Sequence, residues 1–208
     1  MASETSKSPS WPKYETGRPD YIYALGVLSA NFNDLESWLK MLLGLYVKIT
    51  PQAASYLIAR LDNAGRLDLL TLCFEASPHT ERIKAALRYF VKGYATCAEN
   101  HNILLHSQAI PMVNIRNRRP RVLFFKMKRK APYTHNTYAP SVAKLRSIAD
   151  STHAFARFGS ALGMFVWSKY EAPKTSRPWI FSWPKRPAPP KLLSPQSAAI
   201  PKARRHAL

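Results

Sequence analysis

Residues 20–46 read DYIYALGVLSANFNDLESWLKMLLGLY, and within them Leu25, Leu28, Phe32, Leu35, Leu39, Leu42 and Tyr46 recur at spacings of three and four. Because a helical turn takes about 3.6 residues, that spacing lines all seven along one stripe of a helix. Twenty-seven residues rising about 1.5 Å each make a helix of roughly 40 Å. A helix that long is the spine of a small domain, and the remaining segments are read by what they can pack against it.

Thr50-Pro51 pairs a side-chain oxygen suited to an N-cap with a proline at the first helical position, which predicts a second helix from Gln52 to about Leu61. Asp62-Asn63 breaks it, and Leu67, Leu70 and Phe74 give a short third helix that stops before a further cap-and-proline pair at Ser77-Pro78. Ile83, Leu87, Phe90, Val91, Tyr94, Cys97 and Ala98 carry a long fourth helix to about His106, ahead of the helix-discouraging Ile110-Pro111. Between Pro111 and Pro140 the pattern changes. RVLFFKMKRKAPYTHNTY (residues 121–138) has β-branched and aromatic residues with Lys126 and Lys128 alternating, which predicts a short hairpin or extended insertion at about 111–138. Helical spacing returns from about Ser141 to Lys169 through Leu145, Ile148, Thr152, Phe155, Gly159, Leu162 and Val166. The expected fold is all-α: an antiparallel bundle of about five helices over residues 20–170, with a small β-hairpin-like insertion. No fixed-period repeat points to a solenoid.

The flanks have a different composition. Residues 1–19 are rich in Ser, Thr, Pro and Lys without an apolar period and read as a flexible arm. Residues 171–208 hold eight of the 17 prolines, many Lys and Arg, and Glu171 as the single acid, a composition that is disordered or extended. Within that tail Trp179, Phe181 and Trp183 alternate, so an extended backbone puts the three rings on one side, a docking strip for a partner or for the bundle itself.

The chain has 208 residues, and its 31 Lys and Arg against 12 Asp and Glu give a net charge of +19. Such an excess attracts phosphates or anionic surfaces. No apolar run approaches the roughly 18–20 residues of a membrane span, and MASETSKSPSWPKYE has no apolar segment of a secretory signal, so a cytoplasmic protein is expected. Cys73 and Cys97 are too few for a disulfide scaffold and lack zinc-ligand spacing. No phosphate-binding glycine loop, dinucleotide fingerprint or hydrolase elbow occurs, and no cofactor is implied.

Two polar clusters interrupt the apolar stripes. At the end of the fourth helix, residues 99–106 read ENHNILLH. His101 lies seven residues after Tyr94 and continues the inward line, while Asn102 and His106, four apart, share a neighbouring face. His101 and His106 are rotated by about 140° from one another on an ideal helix, poor geometry for one metal ion. Histidine suits general acid–base work instead, because it exchanges a proton near neutral pH. In the first helix, Asn33 and Glu36 sit at the shoulder of the core stripe. If the first and fourth helices pack together, Glu36 can approach either histidine, orient it and raise its pKa.

FNDLE in the first helix and His101-Asn102-Ile103-Leu104-Leu105-His106 in the fourth together resemble the HEPN superfamily, whose helical bundles commonly carry an Arg-x(4–6)-His motif with a polar residue after the arginine. The resemblance covers about residues 20–170. It implies a homodimer and metal-independent endoribonuclease chemistry, with His106 as the acid–base residue and Asn102 as its polar companion. His101 stands at the arginine position. A guanidinium is permanently charged and forks onto phosphate, whereas histidine at pH 7 is neutral unless a carboxylate such as Glu36 or Glu99 holds its proton. Loss of one preorganised donor costs on the order of a hundredfold in rate, so weak or absent cleavage is expected.

No acid occurs from Asn100 to Ala149, and Arg116, Arg118, Arg119, Arg121, Lys126, Lys128, Arg129 and Lys130 fall close together beside Phe124, Phe125 and Tyr133. Phosphate contacts suit these cations, and the rings either stack bases or pack a hairpin. Two functions are therefore expected in order: an RNA-binding HEPN-like bundle with weak or lost ribonuclease activity, or a noncatalytic dimerisation module whose basic tail docks a protein. Peripheral association of the tail with anionic lipid is a third.

Overall fold

The structure, a computed structural model, describes residues 18–113, 120–127, 135–170 and 181–195. It has five helices, α1 (Pro19–Val47), α2 (Pro51–Arg60), α3 (Asn63–Glu75), α4 (Glu81–Leu105) and α5 (Val142–Tyr170), and three strands, β1 (Gln108–Val113), β2 (Pro120–Met127) and β3 (His135–Tyr138), between α4 and α5. The expected helical bundle is present, and its insertion is a three-stranded antiparallel sheet in the order β1-β2-β3. Of the expected arm, residues 1–17 lie outside the described residues, as do Trp179 and Tyr133.

Local chemistry accounts for most boundaries. Thr50 accepts a hydrogen bond from the Ala53 N–H at 3.2 Å and Asp62 accepts one from the Gly65 N–H at 2.8 Å, each satisfying a donor that the first turn leaves free. Ser141 does the same for Lys144 at 3.1 Å at the start of α5. The cap expected at Ser77-Pro78 is displaced. The Ser77 hydroxyl donates backward to the Phe74 carbonyl at 2.6 Å and closes α3, and α4 starts at Glu81 after Thr80. At the end of α1 Lys48 takes the left-handed conformation at φ 55° and its N–H reaches the Gly44 carbonyl, a closure usually left to glycine.

The middle of the spine stripe is buried as its period requires, with Leu28, Leu35, Leu39 and Leu42 fully enclosed and Phe32 nearly so, while Leu25 and Tyr46 at its ends are half-buried. The most extensive helix contact is between α1 and α5, where the Tyr21 hydroxyl donates to the Pro140 carbonyl and the Asn31 amide to the Ala149 carbonyl, each at 3.0 Å. One core region joins all five helices around Phe74, Phe90, Tyr94, Cys97 and Phe155. A second sits under the sheet, where Phe124 and Tyr138, paired across β2 and β3, meet Leu28, Ile103, Leu104, Leu145 and Ile148. Phe124 is fully buried and Phe125 half-buried, the alternation of a strand with one covered face. These rings pack the sheet. Pro111 lies in β1, an edge strand, where a missing N–H interrupts no interior ladder.

Beyond Tyr170 the described part of the tail, residues 181–195, is extended and packed on the bundle. It runs alongside α4, with Trp183 edge-on to Phe165 at 5.1 Å, Pro184 buried, and Leu193 inserted into the core beneath the sheet. Of the docking roles open to the aromatic strip, Trp183 serves the bundle itself.

Candidate functional site

Tyr94, Cys97 and Ala98 keep α4 on the core, and the same face then presents polar groups: Asn100, fully buried, and His101, half-buried. His101 lies flat on Phe32 of α1, ring centroids 4.2 Å apart and planes within 18°. His106, exposed, is the residue that ends α4; its backbone N–H reaches the Asn102 carbonyl and its ring meets the edge of His101 at 5.8 Å. The helix therefore brings His101, Asn102 and His106 together, with Asn102 half-buried beside them.

Glu36 approaches the same place but is already engaged. Its carboxylate accepts from Arg66 of α3 at 2.5 Å and from Lys40 at 3.4 Å. Arg66 is in turn fixed by the Ile58 carbonyl at 3.0 Å and the Asn63 side chain at 3.3 Å, and Asn63 lies 3.5 Å from the Tyr94 hydroxyl. Glu99, the other carboxylate that sequence offered for His101, pairs instead with Lys126 of β2 at 2.8 Å. The expectation that a carboxylate keeps His101 charged is thus corrected. Burial lowers the His101 pKa below its ordinary value and the neighbouring His106 lowers it further, outweighing the opposite pulls of Asn102 and Glu36. Its Nδ1 is buried without a hydrogen-bond partner among the described residues.

A neutral imidazole flat against a phenyl ring cannot grip phosphate as a charged fork does. The end of α4 adds a second disadvantage, since a helix C-terminus carries partial negative charge and repels an anion. Among the described residues the chemistry left is that of one exposed imidazole, His106, without a preorganised partner for transition-state charge. Among the described residues no group of three His, Cys, Asp or Glu could hold a metal ion. Cys97 is buried, which pushes its thiol up to about 11 and makes it a poor nucleophile. No helix among the described residues is long and apolar enough to cross a membrane.

Of the cations assigned to the insertion, Arg116, Arg118, Arg119, Lys128, Arg129 and Lys130 lie outside the described residues; Arg121 is placed in β2 opposite Met112, and Lys126 makes the ion pair with Glu99. Sequence reading gives no role to Arg66, and none to Asn100 although the polar cluster 99–106 contains it. Arg66 carries no local motif, but Asn100 falls one turn after Cys97 in an apolar stripe, a position where a buried amide needs a specific partner.

The electrostatic arrangement makes a direct prediction. In Arg66→Met the Glu36 carboxylate loses its closer cation and keeps only Lys40, so the His101 pKa should rise in a proton NMR titration; an unchanged value would mean that Glu36 does not act on it. Linkage has the matching sign. The unfolded chain binds a proton at His101 near pH 6.5 while the folded chain resists it, so acidification through and below that pH removes stability, and His101→Gln should flatten the decline. Urea midpoints across pH 5–7 check this.

Comparison of the chain with protein-family models, with curated proteins and with solved structures finds no match in any of the three.

Proposed function

We propose that the chain is a HEPN-like, RNA-binding helical bundle of the cytoplasm, paired as a homodimer, whose metal-independent ribonuclease activity is weak or lost. The observation that carries the binding is the charge surplus: 31 cationic residues face 12 carboxylates. Packing does not need such a surplus, and a polyphosphate backbone neutralises it. The weakness of cleavage follows from a neutral His101 stacked on Phe32 and a Glu36 paired with Arg66. A tail kept open for a protein partner is the poorer account, since Trp183 and Leu193 are packed on the chain's own bundle.

The test is incubation of end-labelled single-stranded RNA with purified protein in EDTA, wild type beside His106→Ala, with one native gel for mobility and one denaturing gel for cleavage. Both proteins should retard the RNA and leave it intact. Cleavage by wild type that His106→Ala abolishes would overturn the loss of activity. Absence of retardation at low salt would overturn RNA binding itself.

A further inference from the structure

We propose that the extended segment 181–195 and helix α4 together form a linear, basic track that binds the phosphate backbone of single-stranded RNA, a surface separate from the insertion. This deepens the RNA-binding reading and rests on it. The segment is tied to α4 at three successive places. Arg82, at the start of the helix, stacks its guanidinium over the Trp183 ring at 4.1 Å. Seven residues on, the Tyr89 hydroxyl donates to the Pro187 carbonyl at 2.5 Å. At the far end the Asn100 side chain accepts from the Leu193 N–H at 2.8 Å and donates to the Lys191 carbonyl at 3.1 Å. Segment and helix thus run parallel. From Arg82 to Asn100 the helix rises about 27 Å. From Trp183 to Leu193 the chain, with prolines at 184, 187, 189 and 190, covers about 31 Å in a polyproline conformation. The two lengths match, so the segment lies along α4 with little slack.

Tied down in this way, the segment places Lys185, Arg186 and Lys191 beside Arg82 and Lys92 of α4, all five exposed. Lys92 shares a small concavity with Pro189 and Pro190. Among the described residues no carboxylate pairs with any of the five. The segment contains no acid, and the two acids of α4, Glu81 and Glu99, are paired with Arg88 and Lys126. Arg186 stacks over Tyr89 at 5.3 Å as Arg82 does over Trp183. A guanidinium centred over a ring spends no carboxylate partner on the contact and keeps its N–H donors for a phosphate. A narrow row of cations about 27 Å long fits one polyphosphate strand rather than a flat lipid surface.

The test uses the full chain with Lys185, Arg186 and Lys191 all changed to Ala. These side chains are exposed and the anchoring hydrogen bonds use backbone groups of the segment, so the fold survives, which circular dichroism verifies. A second variant changes Arg116, Arg118 and Arg119 to Ala. Affinity for a labelled single-stranded RNA is followed across salt. Each lost phosphate contact lowers the logarithmic salt slope by about 0.7, so the track variant should lose about 2 from the slope. Between about 50 and 200 mM salt the wild type should then weaken about twentyfold more than the variant. An unchanged slope in the track variant, with the slope lost in the insertion variant, would overturn the track and leave RNA binding standing. No binding by the wild type would overturn both. Equal capture of wild type by anionic vesicles, lost in the track variant while RNA binding is unaffected, would overturn the assignment to RNA.

Discussion

Gly93→Ala should destabilise the bundle by about 3 kcal/mol or more, at the upper end of what overpacking a core costs. A Cβ on Gly93 would lie 1.8 Å from Cε1 of Phe155, with two further ring atoms at 2.3 and 2.4 Å. Phe155 is fully buried and packed against Tyr89 and Phe158, so its ring cannot swing aside without disturbing both. The backbone of α4 therefore has to move away from α5, or Phe155 has to leave its rotamer. Urea denaturation measures the loss, and Gly93→Ala with Phe155→Leu should recover part of it. Equal stability of Gly93→Ala and wild type would contradict the close approach of the two helices.

Asn100→Ala should release the extended segment. The substitution leaves the Leu193 N–H and the Lys191 carbonyl without the amide that now satisfies both, in a place where Asn100 itself is 1% exposed. A buried polar group left without a partner costs about 1–3 kcal/mol, so the two together cost roughly 2–6 kcal/mol if the segment stays. Leaving is the easier course, because hydration of the freed backbone removes that penalty. Leu193 and Trp183 then lose their packing. Trypsin should cut after Lys185 or Lys191 much faster in Asn100→Ala than in wild type. Asn100→Asp sets a buried carboxylate against the Lys191 carbonyl, and should release the segment at least as far as Asn100→Ala. Equal cleavage rates in all three proteins would mean that the amide does not hold the segment. Because release also dissolves the basic track, Asn100→Ala should bind RNA with a smaller salt dependence.

Local periodicity and capping made the helices readable. The stripe from Leu25 to Tyr46 and the pair Thr50-Pro51 depend only on neighbours in sequence, and the structure places α1 at Pro19–Val47 and starts α2 at Pro51. Ser77-Pro78 misled because a serine hydroxyl near a helix end can close the preceding helix as well as open the next, and here it bonds Phe74. His101, Asn102 and His106 were legible as a cluster because one helix carries all three. Their charge state was not. It depends on Phe32 from α1 and on Arg66 from α3, thirty residues from the Glu36 it neutralises, and no spacing rule joins residues that far apart. The segment 181–195 was legible only as extended. Its destination is decided by a buried amide at Asn100, the hydroxyl of Tyr89 and the ring of Trp183, which composition does not distinguish from any other Asn, Tyr or Trp.

The measurement that tests RNA binding most directly is equilibrium anisotropy of two labelled single strands of identical base sequence, one RNA and one with an uncharged backbone, titrated with wild-type protein in EDTA at two salt concentrations. If phosphates carry the interaction, the RNA binds and five contacts of the α4 track alone weaken it about a hundredfold between about 50 and 200 mM salt, while the uncharged strand does not bind. Equal affinity for the two strands, or RNA affinity indifferent to salt, would contradict the account.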